Sequence, residues 1–165
     1  MPDSDALLHY TSITEPQPLY VSLDDNSPAY TMHLIVANTR DTPVYCNKIT
    51  LYLPSGSHEA DLVGAGKISA INGECSASWT FKRVSDTEIT ITPPNNKTAG
   101  FVGIKDQDIK SALYIAALRI TLRNLHINTR IGTARIEITE NTGETNNEAG
   151  FFRKWHYYPV TKFPR

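Results

Sequence analysis

No stretch of the chain approaches the roughly 20 consecutive apolar residues that a membrane-spanning helix needs, and only two of its 165 residues are cysteine. The first absence excludes a membrane-spanning helix among these residues. The second excludes a dense disulfide framework. Cys46 and Cys75 also lie too far apart for the close pairs of a zinc site or redox motif. They read as two small buried thiols, or as one disulfide if the chain is exported. Charge of one sign is lacking too: 16 Lys+Arg against 17 Asp+Glu leave a formal charge of −1, which argues against nucleic acid as a partner. Residues 1–9 carry two early acids, no basic n-region and no apolar core. No secretory signal is read there, which leaves the compartment unknown, cytoplasmic or reached by a non-Sec route.

What is present is period-two alternation, the pattern of a strand with one face in a core and one in water. Tyr30, Met32, Leu34 and Val36 alternate with Thr31, His33, Ile35 and Ala37. Ile49, Leu51 and Leu53 alternate with Thr50 and Tyr52, and Ile89 and Ile91 sit among threonines. Trp79 and Phe81, then Leu118, Ile120 and Leu122, then Ala134, Ile136 and Ile138, repeat the pattern. A further strand is expected over residues 19–23. Turn chemistry punctuates these runs at residues 24–28, 39–43, 54–57, 93–96 and 128–132, and Asn72-Gly73 reads as another turn. Helical periodicity is scarce. Residues 106–117 offer at most a short helix capped by Asp108, and a strand starting near Leu113 is preferred.

These runs predict an all-β fold, an antiparallel immunoglobulin-like β-sandwich of about 7–9 strands with little or no helix. The domain spans 1–158, with 1–18 as a candidate flexible segment and 159–165 as a tail or linker remnant. The immunoglobulin hallmark of a Cys pair with a Trp packed between is missing, since Trp79 follows both cysteines.

The segments Leu34-Ile35-Val36-Ala37-Asn38, Ile49-Thr50-Leu51-Tyr52-Leu53-Pro54-Ser55-Gly56 and Ile131-Gly132-Thr133-Ala134-Arg135-Ile136-Glu137-Ile138-Thr139-Glu140 carry a resemblance. Together they resemble an N-terminal β-sandwich module of larger bacterial proteins. Val160-Thr161-Lys162-Phe163-Pro164 resembles the joint at which that module leads into a further immunoglobulin-like domain. The resemblance implies a fold and a modular setting, and it brings no functional residues with it.

Motifs for chemistry are few. His58-Glu59 begins like a zinc-protease helix, but Leu62 stands where the second His belongs. Asp24, Asp25 and Asn26 group hard oxygens that suit calcium, and they equally suit an acidic turn. No phosphate loop or nucleophile elbow is present, and no cofactor is implied.

Composition departs from its average at the C-terminal end. All 17 acids lie at or before Glu148, so residues 1–148 carry a net −5 and residues 149–165 carry +4. Six of the 15 aromatic residues also fall in that last stretch. Arg153, Lys154, Trp155, Tyr157 and Tyr158 are therefore the candidate binding residues, joined by Arg119, Arg123 and Arg135 if these form one basic patch. The same stretch suits a closing strand, with Phe151, Trp155 and Tyr157 buried and Lys154 and His156 outside.

Three functions follow in order of preference. The first is a non-enzymatic module for protein–protein interaction or assembly, binding a protein partner or a second copy by strand addition. The second is a membrane- or glycan-directed bacterial effector or toxin component. The third is a hydrolase whose paired groups meet only in space.

Overall fold

The computed structural model describes residues 5–24, 27–106, 114–145 and 153–165. Within them the chain is all-β, with eleven strands and three single 3-10 turns. One antiparallel sheet has four strands. Across it run β1 (His9–Glu15), β2 (Tyr30–Ala37), β9 (Ala117–Leu125) and β4 (Asn72–Cys75). The other sheet is ordered β11 (Arg153–Lys162), β10 (Gly132–Gly143), β3 (Val44–Tyr52), β6 (Glu88–Thr92) and β5 (Thr80–Arg83). β7 (Ala99–Phe101) pairs with the first part of β3, and β8 (Tyr114–Ile115) adds to β7 in parallel.

The two sheets face each other as a β-sandwich, because each presents one unbroken apolar row. Met32, Leu34, Val36, Leu118, Ile120 and Leu122 supply one row, all 0% exposed. Ile49, Leu51, Ile89, Ile91, Ile136 and Ile138 supply the other, also 0% exposed. Shutting water out of this interface is the main favourable contribution to the fold. Trp79 closes the core edge-on against Phe101, ring centroids 5.8 Å apart. The alternation read from the sequence is thus the observed one in β2, β3, β6, β9 and β10.

Several expectations are corrected. The first 18 residues are not a flexible arm throughout, since β1 pairs with β2 along its whole length, from His9↔Ala37 to Glu15↔Thr31. Residues 159–162 continue β11 instead of leaving the domain, and Phe163 bridges Tyr20. Residues 19–23 bury Leu19 and Val21 but form only that isolated bridge, not a strand. Asn72-Gly73 is no turn. It opens β4, where a Cβ on Gly73 would lie 2.1 Å from the Thr121 carbonyl oxygen, so glycine is required by the close approach of β9. Beyond these expectations, β10 runs on past Glu140 to Gly143 through a bulge at Asn141/Thr142. Asp108 and Leu113 lie outside the described residues, and the strand expected there begins at Tyr114.

Outer faces are less polar-exposed than the pattern implies. Thr50, Thr121 and Thr139 sit on them yet are only 2–3% exposed. Each is on a central strand, where neighbours on both sides cover a short side chain. Cys46 and Cys75 are free thiols on opposite sheets.

The packing makes a direct prediction. Ile136→Ala is expected to cost about 2–5 kcal/mol of unfolding free energy, whereas Ile131→Thr, at a side chain 56% exposed, changes it by no more than about 0.5 kcal/mol. Urea titrations of the two variants against the parent chain check it.

Candidate functional site

All five binding candidates lie on β11, and the ladder with β10 decides which way each one faces. Side chains directly opposed in an antiparallel pair share a face. The inward Ala134, Ile136, Ile138 and Glu140 stand opposite Val160, Tyr158, His156 and Lys154. β11 therefore closes the sheet as expected, but in the opposite phase. Trp155 and Tyr157 point out, 39% and 42% exposed, and Lys154, His156 and Tyr158 turn in and are half-buried. Phe151 lies outside the described residues. The candidate set splits accordingly. Arg153, Trp155 and Tyr157 share the outer face, while the Lys154 ammonium donates to the Thr142 carbonyl and the Tyr158 hydroxyl bonds Ser12 Oγ at 2.8 Å.

A single basic patch does not form. Arg119 and Arg123 belong to β9 and Arg135 to β10, on the outer faces of opposite sheets. Arg123 is also paired with Glu74 at 2.5 Å, which holds the Glu74 carboxyl below the usual carboxylate range.

β1 ends one sheet and β11 ends the other, and the two edges meet along one side of the sandwich. The Tyr10 ring stacks on His156 with centroids 5.3 Å apart and planes 16° apart. Next to it stands the Ser12–Tyr158 hydrogen bond. On either side of this floor is an open hollow of about 560 Å³. One is bordered by Leu7, His9, Arg40 and Pro159. The other is bordered by Thr14, Pro18, Pro159 and Thr161. No strand covers the outer edge of β1 among the described residues.

The edge of β11 is partly guarded. The Trp155 N–H donates to the Asp5 carboxylate, and the Trp155 carbonyl accepts from the Asp5 N–H at 3.0 Å. Farther along, the Phe163 N–H donates to the Leu19 carbonyl and the Phe163 carbonyl accepts from Val21. Backbone groups of alternate residues point the same way, so Tyr157, Pro159 and Thr161 also face outward from the ladder. Proline is tolerated there because the N–H it lacks would have pointed away from the sheet.

Two charged residues that pattern reading passed over are buried behind this side. Glu140 is 0% exposed. Its carboxylate accepts from the N–H groups of Leu7 and Leu8, from Tyr10 Oη at 2.5 Å and from Thr142 Oγ1 at 2.8 Å. Burial raises its pKa, and those four donors pull it back in part. Burial also pushes the Tyr10 phenol and the Cys46 thiol up, with the Glu140 charge adding to both. At the far end of the same ladder Lys162 is 1% exposed. Its ammonium donates to the Asp61 carbonyl and to Asn128 Oδ1 at 2.8 Å. Burial lowers its pKa, and the Asp61 and Glu59 carboxylates oppose that. Lys162 faces Gly132 across the ladder; a Cβ there would lie 2.9 Å from the Glu59 carbonyl oxygen, and φ is +154°. The signal for both charges was available. Glu140 continues the Ala134–Ile136–Ile138 phase and Lys162 continues that of Val160.

Of the calcium candidate only Asp24 falls among the described residues. Asp25 and Asn26 lie outside the described residues, and the Asp24 carbonyl accepts from Ser27 N–H at 3.2 Å in a turn. Among the described residues no three His, Cys, Asp or Glu side chains gather as a metal site. Comparison of the chain with protein families, curated proteins and solved structures finds no match.

The burial of Glu140 sets a pH dependence. Its folded pKa lies above the unfolded value near 4.5, so the folded chain holds the proton more tightly and this group's contribution to stability falls as pH rises through that window. His156 acts oppositely. Burial lowers its pKa below 6.5, so its contribution is lost as pH falls through that lower value. Glu140→Gln is expected to remove the first slope and leave the second. Urea midpoints across the acid range for both chains measure it, and parallel profiles would show that Glu140 is not the group responsible.

Proposed function

We propose that the chain is a non-enzymatic, immunoglobulin-like β-sandwich module that binds an extended segment of a partner protein along the side where β1 and β11 meet. The observation that carries this reading is the pair of adjacent sheet edges joined by the Tyr10–His156 stack and the Ser12–Tyr158 bond, with a hollow on each side. An added strand hydrogen-bonds to such an edge through its main chain and places alternate side chains in the flanking hollows. The exposed Trp155 and Tyr157 rim this side and supply anchors of the type enriched at interfaces.

A partner of different sequence fits better than a second copy. An antiparallel pairing of two β11 edges that sets Tyr157 against Thr161 also sets Pro159 against Pro159, and neither residue has an N–H to give. Within the chain, the buried carboxylate Glu140 already serves four internal donors, which supports a structural role for it over a catalytic one. A glycan or membrane surface is the second reading, favoured by Arg153, Trp155 and Tyr157 standing together on an outer face.

Selection of displayed random peptides against the whole chain tests the first reading. Peptides rich in β-branched and aromatic residues are expected. They should perturb the amide resonances of β1 and β11 and lose about tenfold or more in affinity when Ser12→Trp or Thr161→Arg fills a hollow. Selected peptides that map to the outer sheet faces, or affinities unchanged by both variants, would overturn it. Sedimentation at high concentration separates the alternative occupant: a dimer abolished by Thr161→Arg would replace the foreign partner with a second copy.

A further inference from the structure

At the end of the sandwich where β3 and β9 finish and β10 begins, three loops border a half-open cavity of about 270 Å³. It shares no lining residue with the two hollows beside β1 and β11. Its walls are tied together by backbone bonds: Ser22 N–H to the Asn128 carbonyl, Asn128 N–H to Leu62, and Gly64 N–H to His126, each at 3.0 Å. The Asn128 side chain, 4% exposed, locks the arrangement. Its amide donates to the carbonyls of Gly56 and His58 at 3.2 and 2.8 Å, and its oxygen accepts from Arg130 N–H and from the buried Lys162 ammonium. A cavity held this way exists before any ligand arrives, so binding incurs little reorganisation cost.

The chemistry of the lining is two-signed. Asp24, Lys67 and His126 are among its lining residues, with Ser22, Ser57 and Thr129 beside them. Among the described residues no Phe, Tyr or Trp lines it, so they offer no stacking face of the kind a sugar ring uses. The volume falls just below the roughly 300–1,000 Å³ of pockets for drug-sized ligands. We infer that this cavity is a binding site for a small zwitterion of amino-acid size, its ammonium held by Asp24 and its carboxylate by Lys67 and His126. Charge-assisted hydrogen bonds at both ends of one molecule select it against ions of a single sign.

The test is a nuclear magnetic resonance titration of the isotope-labelled chain with free amino acids, and in parallel with glucose, inorganic phosphate and calcium chloride. At least one amino acid is expected to give saturable shifts confined to the amides of Ser22, Ser57, Gly64 and Thr129. Asp24→Asn and Lys67→Ala should each weaken that binding about tenfold or more, and Lys67→Arg should retain most of it. Asp24 is exposed and Lys67 half-exposed, so the variants keep the parent spectrum elsewhere. Absence of saturable shifts with every amino acid would overturn the assignment. So would equal binding of phosphate alone, which needs only Lys67 and His126, or of calcium alone, which needs only Asp24. Indifference of the affinity to both charge-removing variants would overturn it as well.

Discussion

Two side chains opposed across an antiparallel ladder must lie on the same side of the sheet, and in this protein that rule at the β10–β11 pair governs most of what is distinctive. β10 cannot turn Ala134, Ile136 and Ile138 to water, because they complete the apolar face of the larger sheet. Once they face inward, Val160, Tyr158 and His156 must as well. Trp155 and Tyr157 are then left on the outside. Aromatic character alone would bury those two rings. The register overrides it, because a one-residue slip would expose a whole row of β10 partners to gain two side chains.

The same phase carries an acid and a base into the interior at opposite ends of the ladder. A buried charge is costly unless hydrogen bonds satisfy it. Glu140 meets the condition by gathering donors from residues 7–10, and so ties the N-terminal segment across the end of the sandwich. Lys162 meets it with the Asp61 carbonyl and Asn128, and so ties the loops at the other end. Each charge therefore fastens a piece of chain that lies outside the β10–β11 ladder. The loop cavity and the segment guarding the β11 edge both rest on these contacts.

Exposed sheet edges invite unwanted pairing, and this sandwich treats its two neighbouring edges differently. β11 carries Pro159 and is covered at each end by Asp5 and by the chain around Leu19–Val21. β1 carries no proline and has no neighbour beyond it among the described residues. The open β1 edge is where the proposed foreign strand would add. That asymmetry, more than the cluster of aromatic and basic residues, gives the functional proposal its direction.

Alternation in the sequence was sufficient for the all-β class, for the inward rows of β2, β3, β6, β9 and β10, and for the existence of a closing strand near Trp155. These follow from burial with a period of two, which is local and needs no knowledge of partners. Tertiary structure alone decided the facing of β11, the strand character of β1 and β4, the separation of Arg119 from Arg135, and the meeting of Asp24, Lys67 and His126 around one cavity. Each of these depends on which strand lies beside which, and on loops that touch only after the sheets have stacked. No pattern confined to neighbouring residues encodes such long-range contacts.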